Sequence, residues 1–322
     1  DIVRSLRSIL LTGGAGFIGS ALTRALLHQP HLEHLVILDS LTYAGNRANL
    51  IGPDQDPRLN FIEGDVGDEA LISKLLKEFR CSGIMHLAAE THVDQSIETP
   101  AKFITTNING TFSILNAARR HGVALLQCST DEVYGPIVAP TKADESFPLN
   151  PSSPYSASKA SADLIVQAAH ITFGQEVVIA RCSNNYGPRQ HREKLIPTLV
   201  HHALRDEALP IYGSGKQIRD WIHVDDTARG LIRVFEKGVS NRIYNLGANC
   251  ERPNLEIART VLNNLNKPKS LIDHIEDRPG HDTRYAVDST RAIKELGWQP
   301  KIPFQTGFEK VIRELSVTLG PN

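Results

Sequence analysis

Ile9-Leu10-Leu11-Thr12-Gly13-Gly14-Ala15-Gly16-Phe17-Ile18-Gly19 decides the fold. The first four residues read as a strand buried on both faces, as in a parallel sheet. Glycines at GxxGxxG spacing follow, and apolar residues then recur at helical spacing to Leu27. A glycine turn between a strand and a helix lets backbone N–H groups approach a pyrophosphate at the helix N-terminus. A second apolar run, His34–Asp39, ends on an acidic residue 20 positions after Gly19. A carboxylate there accepts hydrogen bonds from an adenosine ribose and repels a 2′-phosphate, which favours NAD over NADP. Asp65 and Val66, beyond a third run at 59–65, stand where the adenine is met.

Outward from this unit the alternation continues. Strand-like runs fall at 83–89, 124–129 and 176–181, and helical runs at 68–79, 101–121 and 156–174. Strands alternating with crossover helices predict an α/β fold with a doubly wound parallel sheet. After Cys182 prolines and loops increase, with helices expected near 195–206, 227–237, 255–265 and Thr290–Leu296. The expected organisation is a dinucleotide-binding domain over 1–182, with returning segments at about 219–247. A smaller interleaved substrate region covers 183–322.

Composition narrows the partners. The chain has 322 residues, 41% hydrophobic and 22% charged, so it can fill a sizeable core. A formal net charge of -1 gives no global basic field for nucleic acid or an anionic membrane. No apolar run is long enough to span a bilayer. Residues 1–7 lack Met and lead straight into a strand, which reads as a trimmed start rather than a signal peptide. The four cysteines, Cys81, Cys128, Cys182 and Cys250, have no metal or CxxC spacing and read as reduced thiols of a cytoplasmic protein. His86, in a strand pattern, reads as a core histidine, and His201-His202 lacks a carboxylate at metal-ligand spacing, so no metal is expected.

Tyr155 and Lys159 form YxxxK at the start of a helix, which puts both on one face. An ammonium beside a phenol favours the phenolate, so the tyrosine can take a hydroxyl proton near neutral pH. The run before it ends Cys128-Ser129-Thr130-Asp131-Glu132.

With these motifs in order, the chain resembles the extended short-chain dehydrogenase/reductase family along nearly its whole length. Within it, Ser129-Thr130-Asp131-Glu132-Val133-Tyr134-Gly135 is similar to the signature of the dTDP-glucose 4,6-dehydratases. Further matches are Ala88-Ala89-Glu90-Thr91-His92-Val93-Asp94, Asn184-Asn185-Tyr186-Gly187-Pro188, Glu193-Lys194-Leu195-Ile196-Pro197, Arg219-Asp220-Trp221 and Arg278-Pro279-Gly280-His281-Asp282. The resemblance implies NAD as cofactor and dTDP-glucose or a related NDP-hexose as substrate. It implies that Tyr155, supported by Lys159 and Thr130, takes the C4 hydroxyl proton as C4 is oxidised. Glu132 then removes the C5 proton and Asp131 protonates the departing C6 hydroxyl. That split needs two carboxyl groups of different pKa.

The cofactor residues so implied are Gly13, Gly16, Phe17, Ile18, Gly19, Asp39, Ser40, Thr42, Asp65, Val66, Leu87, Ala88, Ala89, Asn107, Ser129, Tyr155, Lys159 and Cys182. The substrate residues are His92, Thr130, Asp131, Glu132, Asn184, Lys194, Leu195, Pro210, Tyr212, Arg219, Asn254, Arg278 and His281. Departures from the family pattern fall at Glu207-Ala208, at His191-Arg192 and at the short C-terminus. They bear on the base, read as thymine first and uracil second. Competing readings are a 4-epimerase or decarboxylase on the same scaffold, and a catalytically silent NAD-binding protein. The resemblance also implies a homodimer, through helices at 101–120 and 156–173.

Overall fold

The computed structural model describes residues 3–320, so the readings made for positions 1–2 and 321–322 lie outside the described residues. In chain order the first half contains β1 (Ser8–Thr12), α1 (Phe17–Leu27), β2 (His34–Asp39), β3 (Leu59–Glu63), α2 (Glu69–Glu78), β4 (Gly83–His86), α3 (Val93–Glu98), α4 (Pro100–Phe103), a π-turn at Ile104–Asn109, α5 (Gly110–His121) and β5 (Ala124–Thr130). A 3-10 turn at Asp131–Tyr134 leads to α6 (Pro154–Phe173), β6 (Val177–Cys182), β7 (Asn184–Tyr186), α7 (Leu195–Leu204), β8 (Leu209–Tyr212), β9 (Ile218–His223), α8 (Val224–Lys237) and β10 (Ile243–Leu246). The chain closes with β11 (Glu251–Pro253), α9 (Asn254–Asn264), β12 (Ile272–Ile275), α10 (Thr290–Leu296) and α11 (Phe304–Leu319).

Seven strands form one parallel sheet in the order β3-β2-β1-β4-β5-β6-β10. Both faces are covered. Ile9 and Leu11 of β1 join the core beneath α1 and α8, while Leu10 joins the core beneath α2, α5 and α6. Strand order reverses between β1 and β4, so their C-terminal ends open into the crevice where doubly wound sheets bind ligands. The glycine turn sits at that crevice. Gly13 has φ 72°, and a Cβ on Gly19 would lie 1.9 Å from the Gly13 carbonyl oxygen, so α1 reaches the turn only because Gly19 has no side chain.

The helical stretch expected at 101–121 is helical but not one α-helix. Its middle is the π-turn, which adds a residue to one turn and changes which side chains face the sheet. The segment expected to return at 219–247 divides between layers. β10 joins the large sheet beside β6, whereas β9 pairs with β7 and β11 in a separate three-stranded sheet. Together with the β8–β12 pair and α7, α9 and α11, that sheet encloses a second core around Leu199, Ile211, Trp221, Val261, Phe308 and Val311. Among the described residues no helix is long and apolar enough to cross a membrane.

Candidate active site

A cavity of about 600 Å³ opens at the C-terminal ends of the large sheet. Gly13, Gly16, Phe17, Ile18 and Gly19 line one end, and no side chain caps the N-terminus of α1. A Cβ on Gly16 would meet only the Gly13 carbonyl oxygen, at 3.3 Å, so that cradle is clear for a phosphate group. Asp39, Ser40, Thr42, Asp65, Val66, Leu87, Ala88, Ala89, Ser129 and Cys182 line the same cavity. Asp39 is set by two backbone donors, with Ala15 N–H reaching Oδ2 at 2.9 Å and Leu41 N–H reaching Oδ1 at 2.9 Å. Burial raises its carboxyl above the usual range, and those two bonds oppose the shift.

Asn107, implied as a cofactor residue, is not among the residues lining the cavity, and its amide is bonded to neighbouring protein groups. Oδ1 accepts from Glu90 N–H at 2.9 Å, while Nδ2 donates to the Glu90 carbonyl at 3.0 Å and to Ser158 Oγ at 2.9 Å. These bonds tie it to the Glu90 main chain and to Ser158 on α6.

Thr130, Asp131, Glu132, Tyr155 and Lys159 all line the cavity. β5 ends on Thr130, whose hydroxyl oxygen accepts from Glu132 N–H at 3.2 Å and starts the 3-10 turn that turns both carboxyl groups inward. The Ser153–Ser156 capping box starts α6 just before Tyr155. Lys159 Nζ donates to the Cys128 carbonyl at 2.8 Å. The Tyr155 phenol is held well above its ordinary value by burial, then by the nearby Glu132 charge. The carboxyl groups differ as well. Burial, Glu132 and Asp220 push Asp131 well above the carboxylate range. Burial also raises Glu132, but Arg219, Arg278 and Lys194 pull it back toward ionisation.

The remaining substrate candidates divide. Asn184, Lys194 and Leu195 line the cavity. His92 instead caps α3, accepting from Gln95 N–H on Nδ1 at 3.2 Å, and its Nε2 reaches Glu193 at 3.0 Å. Tyr212 and Arg278 both bind Asp94, at 2.8 Å and 3.2 Å, and His281 Nδ1 lies 2.6 Å from Asp277 Oδ1. Pro210 lies on β8 and Asn254 opens α9, also outside the lining. Cavity-lining residues also carry buried polar atoms without a protein partner, among them Asp131 Oδ2, Asn184 Oδ1, Asn185 Oδ1, Gln190 Oε1 and Trp221 Nε1. Such a concentration at one cavity fits a polar ligand, because unpaired buried groups are costly. Among the described residues no group of three or more His, Cys, Asp or Glu side chains is placed to hold a metal ion.

A family model described as GDP-mannose 4,6-dehydratase matches residues 10–311. The dTDP-glucose 4,6-dehydratase of Mycolicibacterium smegmatis is 44% identical over 307 residues, covering 94% of this chain and 92% of the relative. That of Escherichia coli is 42% identical, with the same coverage. The chain belongs to the dTDP-glucose 4,6-dehydratase family. Among solved members, DesIV of Streptomyces venezuelae, a dTDP-glucose 4,6-dehydratase with NAD and TYD bound, superposes with a TM-score of 0.93 at 44% identity over 97% of both chains.

In this dTDP-glucose 4,6-dehydratase fold, Tyr285 adjoins the substrate candidates without being marked by any motif. Its ring lies under the Arg219 guanidinium at 4.1 Å and its hydroxyl donates to Asp282 at 2.7 Å. Burial, and then the Glu132 charge, push its phenol up. Nothing in local spacing marks Tyr285, although it lies three residues beyond the Arg278–Asp282 match.

Proposed function

We propose that this protein is an NAD-dependent dTDP-glucose 4,6-dehydratase, a carbon–oxygen lyase that forms dTDP-4-keto-6-deoxyglucose. The observation that carries this reading is the pair of adjacent carboxyl groups, Asp131 buried and Glu132 half-buried, with unlike surroundings and lining one cavity with Tyr155 and Lys159. An epimerase has no use for an acid at a C6 hydroxyl.

The glycine turn, the uncapped start of α1 and Asp39 would hold NAD. Bound NAD supplies the hydride acceptor for C4 and the donor for C6. Tyr155 takes the C4 hydroxyl proton, and Lys159 and Thr130 hold the atoms around it in place. A ketone at C4 acidifies the C5 proton, which Glu132, kept ionisable by Arg219, Arg278 and Lys194, removes. Asp131, kept neutral by burial and by two neighbouring carboxylates, donates to the departing C6 oxygen. Arg219, Arg278 and Lys194 also suit a diphosphate, since charged donors bind its oxygens strongly. The base is read as thymine, with uracil second.

Exposed apolar side chains on α5 and α6, Phe112, Leu164, Ile171 and Phe173, support pairing of two copies through these helices. The four free cysteines suit a reducing cytoplasm.

The test uses dTDP-glucose and UDP-glucose, each deuterated at C4, with products read by mass spectrometry and NMR. The expected result is water loss with deuterium at C6, faster for dTDP-glucose. Epimerisation without water loss would replace this reading with an epimerase. NAD binding without conversion of either sugar would support a silent NAD-binding protein.

A further inference from the structure

His86 lies at the C-terminal end of β4, fully enclosed between the cofactor wall and α5, and the proposed chemistry gives it no part. Its surroundings fix its protons. Thr12 Oγ1 accepts from two backbone groups, Leu87 N–H at 3.0 Å and Ala88 N–H at 3.1 Å. Both lone pairs are thereby occupied, so the Thr12 hydroxyl must donate to His86 Nδ1, 2.6 Å away. His86 therefore carries its proton on Nε2 and donates it to Thr111 Oγ1 at 3.0 Å. The Thr111 hydroxyl in turn donates to the Asn107 carbonyl at 2.7 Å.

Both ends of this run touch the site. At one end, Leu87 and Ala88 line the cavity, and Ala88 backs the glycine turn so closely that a Cβ on Gly13 would come within 2.7 Å of its nitrogen. At the other, Asn107 clamps the Glu90 main chain and binds Ser158, which donates to the Tyr155 carbonyl at 2.6 Å and precedes Lys159. Asn107 lies within the π-turn, and Thr111 on the first turn of α5.

We propose that His86, as the neutral Nε2–H tautomer, is a positioning residue. Through Thr12, Thr111 and Asn107 it holds the 87–90 wall of the cofactor cleft in register with the helix that carries Tyr155 and Lys159. A one-way hydrogen-bond run inside a dry core has one arrangement of donors, so it locks two elements in a way that apolar packing does not. Burial keeps the imidazole neutral, and the adjacent Lys159 charge acts in the same direction.

The proposal rests on the dehydratase reading for its catalytic effect but not for its effect on NAD. Thr111→Val removes the acceptor for His86 and the donor to Asn107 at nearly constant volume, while Thr111→Ser restores both. The expected result for Thr111→Val is about a tenfold loss in NAD affinity and in kcat, from a shift of the wall, with the KM for dTDP-glucose little changed. Thr111→Ser should recover both. Nitrogen-15 NMR of the wild-type ring should show one Nε2–H tautomer that does not titrate between about pH 5 and 9. A folded Thr111→Val with wild-type NAD affinity would overturn the proposal, as would an Nδ1–H or titrating ring. Should the wild type convert no sugar, the NAD and NMR measurements still decide the matter, and only the dehydratase reading falls.

Discussion

Asp131 and Glu132 are neighbours in sequence, yet cations oppose the upward shift of Glu132 more fully than that of Asp131. Each residue then has its own expected failure. Asp131→Asn should lower dehydration by about 10²–10⁴-fold while C4 oxidation still occurs, seen as reduced cofactor accumulating under dTDP-glucose. Loss of both steps together would mean that Asp131 has another task. Arg219 lowers the Glu132 pKa, so replacing it raises that pKa and leaves less ionised base at a given pH. Arg219→Met should therefore move the acidic limb of the kcat–pH profile to higher pH, and an unmoved limb would remove Arg219 from this role. These residues were legible in the sequence because Asp131 and Glu132 are contiguous and Tyr155 and Lys159 are one helical turn apart. Tyr285 was not, since tertiary folding alone brings it under Arg219. Asn107 is implied as a cofactor residue only by the family resemblance; its amide bonds to Glu90 and Ser158 arise from tertiary folding.

Helix α6 is anchored as well as capped. Asp163, one turn beyond Lys159, is wholly buried, and its Oδ2 accepts from Arg181 Nε on β6 and from Ser129 Oγ on β5, each at 2.9 Å. The Arg181 guanidinium also lies over the Tyr134 ring at 4.9 Å. Arg181→Met would leave the Asp163 carboxylate buried without its cation and should cost about 3–5 kcal/mol, measured by urea unfolding. A loss near zero would mean that the Arg181–Asp163 pair does not anchor α6. The elements of the large sheet could be read because parallel strands are apolar on both faces and their crossover helices are amphipathic. The strands β7, β8, β9, β11 and β12 are not legible in the sequence. They span three to six residues and mix polar, charged or proline residues with apolar ones, as in Asn184-Asn185-Tyr186 and Glu251-Arg252-Pro253, so no period emerges from them.

For the whole molecule, the exposed apolar faces of α5 and α6 predict a dimer that Leu164→Glu with Ile171→Glu should dissociate, read by sedimentation. A monomeric wild type would remove that reading. Acid stability offers a second test. An unfolded His86 protonates near 6.5 and the folded one only near about 3. Between these values the unfolded chain binds the extra proton, so stability falls as pH drops, by up to about 1.4 kcal/mol per pH unit. The raised carboxyls of Asp131 and Glu132 act in the opposite sense, but equally in a His86→Gln variant. The wild type should therefore lose stability more steeply below pH 6.5 than a folded His86→Gln protein.

Asp94 holds both Tyr212 and Arg278. If a sugar nucleotide is held at that corner, its loading is an exchange reaction, in which one resident anion gives up its partners as another takes them. An exchange alters the net charge of the pair less than capture by a bare guanidinium would. Binding should thus be less weakened by added salt than the three cations around Glu132 alone would suggest.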